Sequence, residues 1–208
     1  MVAPEAAPFA KTGGLGDVVG TLPTTLKGLG VDVSLIMPAY RSVLRSGLDF
    51  EEMAPIPVPL GDRLEQATVL RTVTPGGVQI SFIRADRYFD REYLYGTPEV
   101  DYPDNLERYA FFGRAALALL ANNPPDVLHA HDWQSALAVT FLRTQPGRYP
   151  DLSTVRTAFT LHNLGYQGLF PEAEWPTLGL DRRFFTPQFL EFFGRSTCSR
   201  AHWSPPTG

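Results

Sequence analysis

Val127-Leu128-His129-Ala130-His131-Asp132-Trp133, then the apolar-faced run from Ser135 to Arg143, then Val155-Arg156-Thr157-Ala158-Phe159-Thr160-Leu161-His162-Asn163, decide the fold. Two short buried runs flank a stretch with helical spacing, which reads as strand, helix, strand. That alternation predicts a parallel sheet covered by helices on both faces. In such sheets ligands bind beyond the carboxyl ends of the strands. His129, His131 and Asp132 stand at one predicted strand end, and His162 and Asn163 at the other.

Working outward, Asn105 to Ala121 predicts a long helix stopped by Pro124-Pro125. Val18, Val19, Leu22, Leu26 and Leu29 recur at helical spacing, so Gly16 to Leu29 reads as a helix in which Pro23 forces a local adjustment. Val31 to Met37 follows as a buried strand. Between Ile56 and Ile83 three β-prone pieces are separated by Gly61-Asp62 and Pro75-Gly76-Gly77. Those separators are turn chemistry, so the region reads as a β-hairpin extension of the sheet.

Composition narrows the function classes. The chain has 208 residues, 44% of them hydrophobic, and a formal net charge of −4, which offers no broad attraction for nucleic acid or an anionic membrane. Its single cysteine, Cys198, allows no internal disulfide and agrees with a cytoplasmic location. No run of 18 apolar residues is present, so no spanning helix is expected.

Three constellations carry chemistry. Lys11-Thr12-Gly13-Gly14-Leu15-Gly16-Asp17 places two glycines and a lysine before a helix, the outline of a phosphate cradle. It is not a P-loop, and Gly14, Gly16 and Gly20 are one residue too widely spaced for the dinucleotide fingerprint; a plain glycine turn capping a helix remains the alternative. His129-Ala130-His131-Asp132-Trp133 could mark a metal site, but no third imidazole or thiolate stands in register. A pocket wall for a sugar, with the carboxylate on hydroxyls and the indole on C–H groups, or a hydrogen-bonded strand end, are the other readings. Thr160 to Gly168 crowds a histidine and two amides beside two glycines, or knits a loop by its own hydrogen bonds. A nucleophile elbow and a functional carboxylate pair are both absent.

Taken in order, Pro8 to Val18, Tyr88-Phe89-Asp90-Arg91, Leu94-Tyr95-Gly96, Pro103-Asp104-Asn105, His129 to Trp133 and Thr160 to Gly168 resemble the ADP-glucose-dependent glycogen and starch synthases. The resemblance runs from Met1 to about Arg195. It implies a Rossmann-like N-terminal half of a GT-B fold, whose active site lies in a cleft between two halves. It implies retaining transfer of glucose from ADP-glucose to the non-reducing end of an α-1,4-glucan, without metal or other cofactor. Lys11, Gly13 and Gly14 are implied at the nucleotide-sugar phosphates, and Asp17, Tyr95 and Asp132 toward the acceptor glucan. His162 is implied against the transferred glucose, with Asn163 supporting it, so His162 and Asp132 are the catalytic candidates. The base and ribose would be held mainly by the C-terminal partner domain, so UDP-glucose stays open as donor, as does a non-catalytic glucan-binding module. A nicotinamide oxidoreductase is disfavoured by the glycine spacing.

The chain departs from the family pattern at both ends. The first strand is clipped at Met1, which predicts uncovered sheet edge. After Arg195 the pattern stops: residues 196–208 match nothing expected, whereas a DNA that encodes them also encodes, one base earlier, a sequence beginning Ile-Asn-Val-Leu-Lys, as the family does. The expectation is a domain over residues 1–195 and a frameshifted, unstructured tail over 196–208 in which Cys198, His202 and Trp203 have no evolved role. Without its partner domain the chain is expected to be inactive.

Overall fold

A computed structural model describes residues 1–199; His202, Trp203 and the rest of the tail lie outside the described residues. Ten strands are present among the described residues: β1 (Ser34–Pro38), β2 (Glu51–Glu52), β3 (Ile56–Leu60), β4 (Arg63–Val73), β5 (Gln79–Arg84), β6 (Val127–His131), β7 (Arg156–Thr160), β8 (Leu169–Pro171), β9 (Glu191–Phe192) and β10 (Arg195–Thr197). The α-helices are α1 (Gly14–Gly28), α2 (Arg41–Leu44), α3 (Asp86–Phe89), α4 (Asn105–Ala121) and α5 (Asp132–Thr144).

The sheet is parallel at its centre and antiparallel at one side. β1 pairs in parallel with β5, and β6 in parallel with β7. Val2 joins the two pairs, bridging Ile36 of β1 and Ala130 of β6, both in parallel. Its backbone donates to His129 O at 2.8 Å and accepts from His131 N at 3.0 Å. Residues 1–3 thus supply a central rung, and Val2 and Ala3 are fully buried. The gap expected beside a shortened first strand is therefore not there. β4 adds to β5 antiparallel, and β2 and β3 both pair with β4. The hairpin region is no mere extension: β5 neighbours β1 inside the main sheet.

Helices cover both faces. On one side Val19 and Pro23 of α1 look onto Leu35 and Ile80 across a groove of about 510 Å³. On the other, α4 packs against α5 and β3, and α5 lies on β6 and β7. α4 is apolar around most of its circumference and nearly every residue from Asn105 to Leu117 is buried, as suits a core helix. Its approach to α5 needs Gly113: a Cβ there would stand 2.9 Å from the backbone nitrogen of Ala138.

α1 begins two residues earlier than the apolar spacing predicts, because helical backbone needs no apolar side chain at Gly14. It carries Pro23 internally. β1 begins three residues later than expected, at Ser34.

The expectation of an unstructured tail from Ser196 is corrected for the described part. β10 pairs antiparallel with β8 and β9, and Ser196, Thr197, Cys198 and Ser199 are buried. Strand pairing is made by backbone groups and asks no particular side chain. The residues here are also small, so they fit beside Gly168, whose carbonyl accepts from Cys198 N at 3.2 Å.

Candidate active site

Five segments meet in a cavity of about 730 Å³. They are Glu5, the loop that opens α1, the stretch between Tyr95 and Asn105, the start of α5 after β6, and the loop that leaves β7. The two strand ends named by the sequence pattern therefore converge on one site.

The cradle side is exposed and made of backbone. Gly13 and Gly14 line the cavity and are open to solvent. Gly13 is the N-cap of α1 and no side chain caps that end. The first-turn N–H groups and the helix dipole favour an anion there. Lys11 and Asp17, assigned by resemblance to phosphate and acceptor, do not line the cavity. They meet each other at its rim, Lys11 Nζ lying 2.6 Å from Asp17 Oδ1 with both side chains about half exposed.

The opposite wall is made of side chains, half-buried at Asp132 and His162 and fully buried at His131. At the β6–α5 junction the backbone turns so sharply that Asp132 takes φ 56°, a left-handed conformation Asp tolerates better than most residues. The turn aims its carboxylate at the next strand end, where Oδ1 accepts from His162 N at 2.7 Å. Burial raises the Asp132 pKa, opposed by the hydrogen bond from the His162 amide. Asp132 thus touches the backbone of His162, not its ring. The ring turns to His131, with His162 Nε2 and His131 Nδ1 3.0 Å apart. His129 completes a row: its ring centroid is 4.2 Å from that of His131, and its Nε2 meets Thr160 Oγ1 at 2.8 Å. His131 has no exposure, and burial pushes its pKa down to about 3, so it is neutral. Its Nε2 has no partner among the described residues.

Trp133 does not offer its ring freely to a sugar. The residue is 8% exposed, with its ring edge-on to Tyr109 and tilted against Phe170. Gly168, at φ 64°, lies so close that a Cβ would stand 2.6 Å from the indole. Of the two glycines after His162, Gly168 serves this packing, whereas a Cβ on Gly165 would meet Asn163 Oδ1.

Asn163 and Tyr95 line the cavity, and Tyr166 stands exposed at its edge. The Tyr95 hydroxyl, however, donates to Glu5 Oε1 at 2.6 Å, and burial raises its pKa well above the ordinary value. Glu5, Thr12 and Asn105 were not singled out as site residues from sequence. The available signal was a lone carboxylate in the small apolar run from Ala3 to Ala10, a position where a charge must find buried partners.

Residues 1–202 match the family described as starch synthase catalytic domain. The chain belongs to that family. It is 45% identical over 196 residues to a glycogen synthase of Syntrophotalea carbinolica, covering 93% of this chain and 40% of that protein. It is 42% identical over 198 residues to glycogen synthase 2 of Geobacter sulfurreducens, covering 94% of this chain and 41% of that protein. The solved catalytic domain of starch synthase IV from Arabidopsis thaliana, bound to ADP and acarbose, superposes with a TM-score of 0.82 at 29% identity, over 95% of this chain and 41% of that one. The chain thus spans about two fifths of the length of these starch synthase family relatives and carries the N-terminal half of a GT-B fold. Among the described residues no helix is long and apolar enough to cross a membrane.

Proposed function

We propose that this chain is the glucan-facing half of a glucosyltransferase that moves glucose from ADP-glucose to the non-reducing end of an α-1,4-glucan with retention. The observation that carries the reading is the cavity itself, in which an uncapped helix N-terminus faces a wall of carboxylate, imidazole and amide. The first-turn amides of α1 suit a diphosphate. As the bond between the glucose C1 and the diphosphate oxygen breaks, negative charge builds on the leaving group. Fixed N–H dipoles stabilise it without reorganising. Lys11 adds a full charge once it leaves Asp17. Asp132 and Asn163 suit sugar hydroxyls, and Asp132 fixes the His162 backbone against the transferred glucose. The rest of the donor's grip is assigned to a partner domain. That agrees with a chain spanning two fifths of its relatives. No metal or further cofactor enters the scheme, and the setting is cytoplasmic.

Glucose incorporation into glycogen from labelled ADP-glucose tests this. The 208-residue chain alone is expected to give none. The same chain joined to the C-terminal half of a 45%-identical relative is expected to restore it. Full-rate transfer by the chain alone contradicts the division of labour, and no transfer by a well-folded fusion contradicts the function.

A further inference from the structure

Glu5 is a carboxylate in a run of alanines and prolines, and it is 3% exposed. Two of its three bonds go to Thr12 of the cradle: Oε2 accepts from Thr12 N at 2.6 Å, and Oε1 from Thr12 Oγ1 at 2.8 Å. The third comes from the Tyr95 hydroxyl, on the separate stretch from Tyr95 to Asn105 that also lines the cavity. Tyr95 is held in turn from the core. Its carbonyl accepts from Asn105 Nδ2 at 2.8 Å, Asn105 Oδ1 accepts from an Arg108 guanidinium nitrogen at 2.6 Å, and Arg108 Nε donates to Tyr88 O at 2.8 Å. Arg108 is fully buried on α4. A continuous line of hydrogen bonds therefore runs from the rigid core to the exposed cradle, through one carboxylate.

This arrangement uses up the donor capacity of the Tyr95 hydroxyl, so Tyr95 is poorly placed to donate to a sugar. It also places a carboxylate beneath a cradle suited to an anion, which electrostatics alone would disfavour. Both features make sense if the carboxylate serves geometry. We propose that Glu5 is a positioning residue that fixes the Thr12 end of the cradle against the Tyr95 wall, so that anion affinity at the cradle depends on a wall residue the anion does not touch. The proposal rests on the reading of the cradle as the diphosphate site.

The test uses the 208-residue chain, amide hydrogen exchange at Thr12, and titration with ADP. Glu5→Gln is expected to speed Thr12 exchange at least about tenfold, the loss of one hydrogen bond to a charged acceptor, and to weaken ADP binding about tenfold. Glu5→Asp should recover part of both. Tyr95→Phe should weaken ADP about threefold in the wild-type background and leave it unchanged in the Glu5→Gln background, the non-additivity expected when both residues act on ADP through one shared hydrogen bond. Unchanged Thr12 exchange in Glu5→Gln, or equal Tyr95→Phe effects in both backgrounds, overturns the proposal. If Glu5→Gln does not fold, Thr12 exchange in Tyr95→Phe decides: a severalfold rise supports the strut, and no change refutes it. If the wild-type chain does not bind ADP, the diphosphate reading fails, while Thr12 exchange still decides the role of Glu5.

Discussion

The two walls of the cavity are built differently. The cradle is a solvent-exposed loop whose binding groups are backbone amides, with an ion pair at its rim. The facing wall is made of side chains, among them the buried, neutral imidazole of His131 and a half-buried carboxylate tied to a backbone amide. Exposed backbone tolerates side-chain change but moves easily; buried polar side chains are rigid and costly to disturb. Substitutions on the wall should therefore register as lost stability as well as lost binding, and substitutions in the cradle as lost binding alone.

The largest effect that would sharpen this contrast is at Gly168. Gly168→Ala puts a Cβ at φ 64° and 2.6 Å from the Trp133 ring. About 3 kcal/mol or more of destabilisation is expected, seen as a fall in Tm of roughly 6–12 °C. A smaller effect follows from His131. Its folded pKa of about 3 lies below its ordinary 6.5, so between those values the unfolded chain binds more protons and stability falls as pH drops. About 2 kcal/mol should be lost between pH 6.5 and 5. Urea titrations across that range check it, and His131→Asn should flatten the slope. The raised pKa of Asp132 acts with the opposite sign, stabilising the fold below its ordinary value. Asp132→Asn keeps a residue that tolerates the left-handed turn, so about 1 kcal/mol of stability should go, with maltotriose binding weakened about tenfold. The smallest stability effect belongs to the cradle. Lys11→Ala breaks an exposed pair and should change unfolding by less than about 0.5 kcal/mol, while weakening ADP severalfold by calorimetry. A cradle variant that unfolds the chain would break the comparison.

Much of this was legible in the sequence, for reasons that differ by region. α4 was readable to the residue because its apolar spacing and the following Pro124-Pro125 agree. The convergence of His131, Asp132, His162 and Asn163 followed from placing them at the ends of parallel strands. The pairing of β5 with β1 was not readable, because period-two alternation does not name a partner. Nor was the mutual pairing of Lys11 with Asp17, because a loop and a helix start six positions apart have no fixed side-chain spacing, or the capture of the Tyr95 hydroxyl by Glu5, since a hydrogen bond across 90 positions leaves no local spacing. The tail was misread from Ser196 to Ser199 because a mismatch in side chains says little about backbone pairing. The frameshift itself is a statement about DNA: resequencing across the codons for Arg195 and Ser196 tests it, and an intact frame through the junction ends it.

The central claim is that one cavity takes a diphosphate at the cradle and a glucan at the wall. Amide chemical-shift mapping of the 208-residue chain, titrated separately with ADP and with maltotriose, addresses it most directly. ADP is expected to move the amides of Gly13, Gly14 and Leu15, and maltotriose those around Asp132, His162 and Asn163. Shifts from either ligand confined to other parts of the surface, or both ligands competing for the same amides, would contradict it.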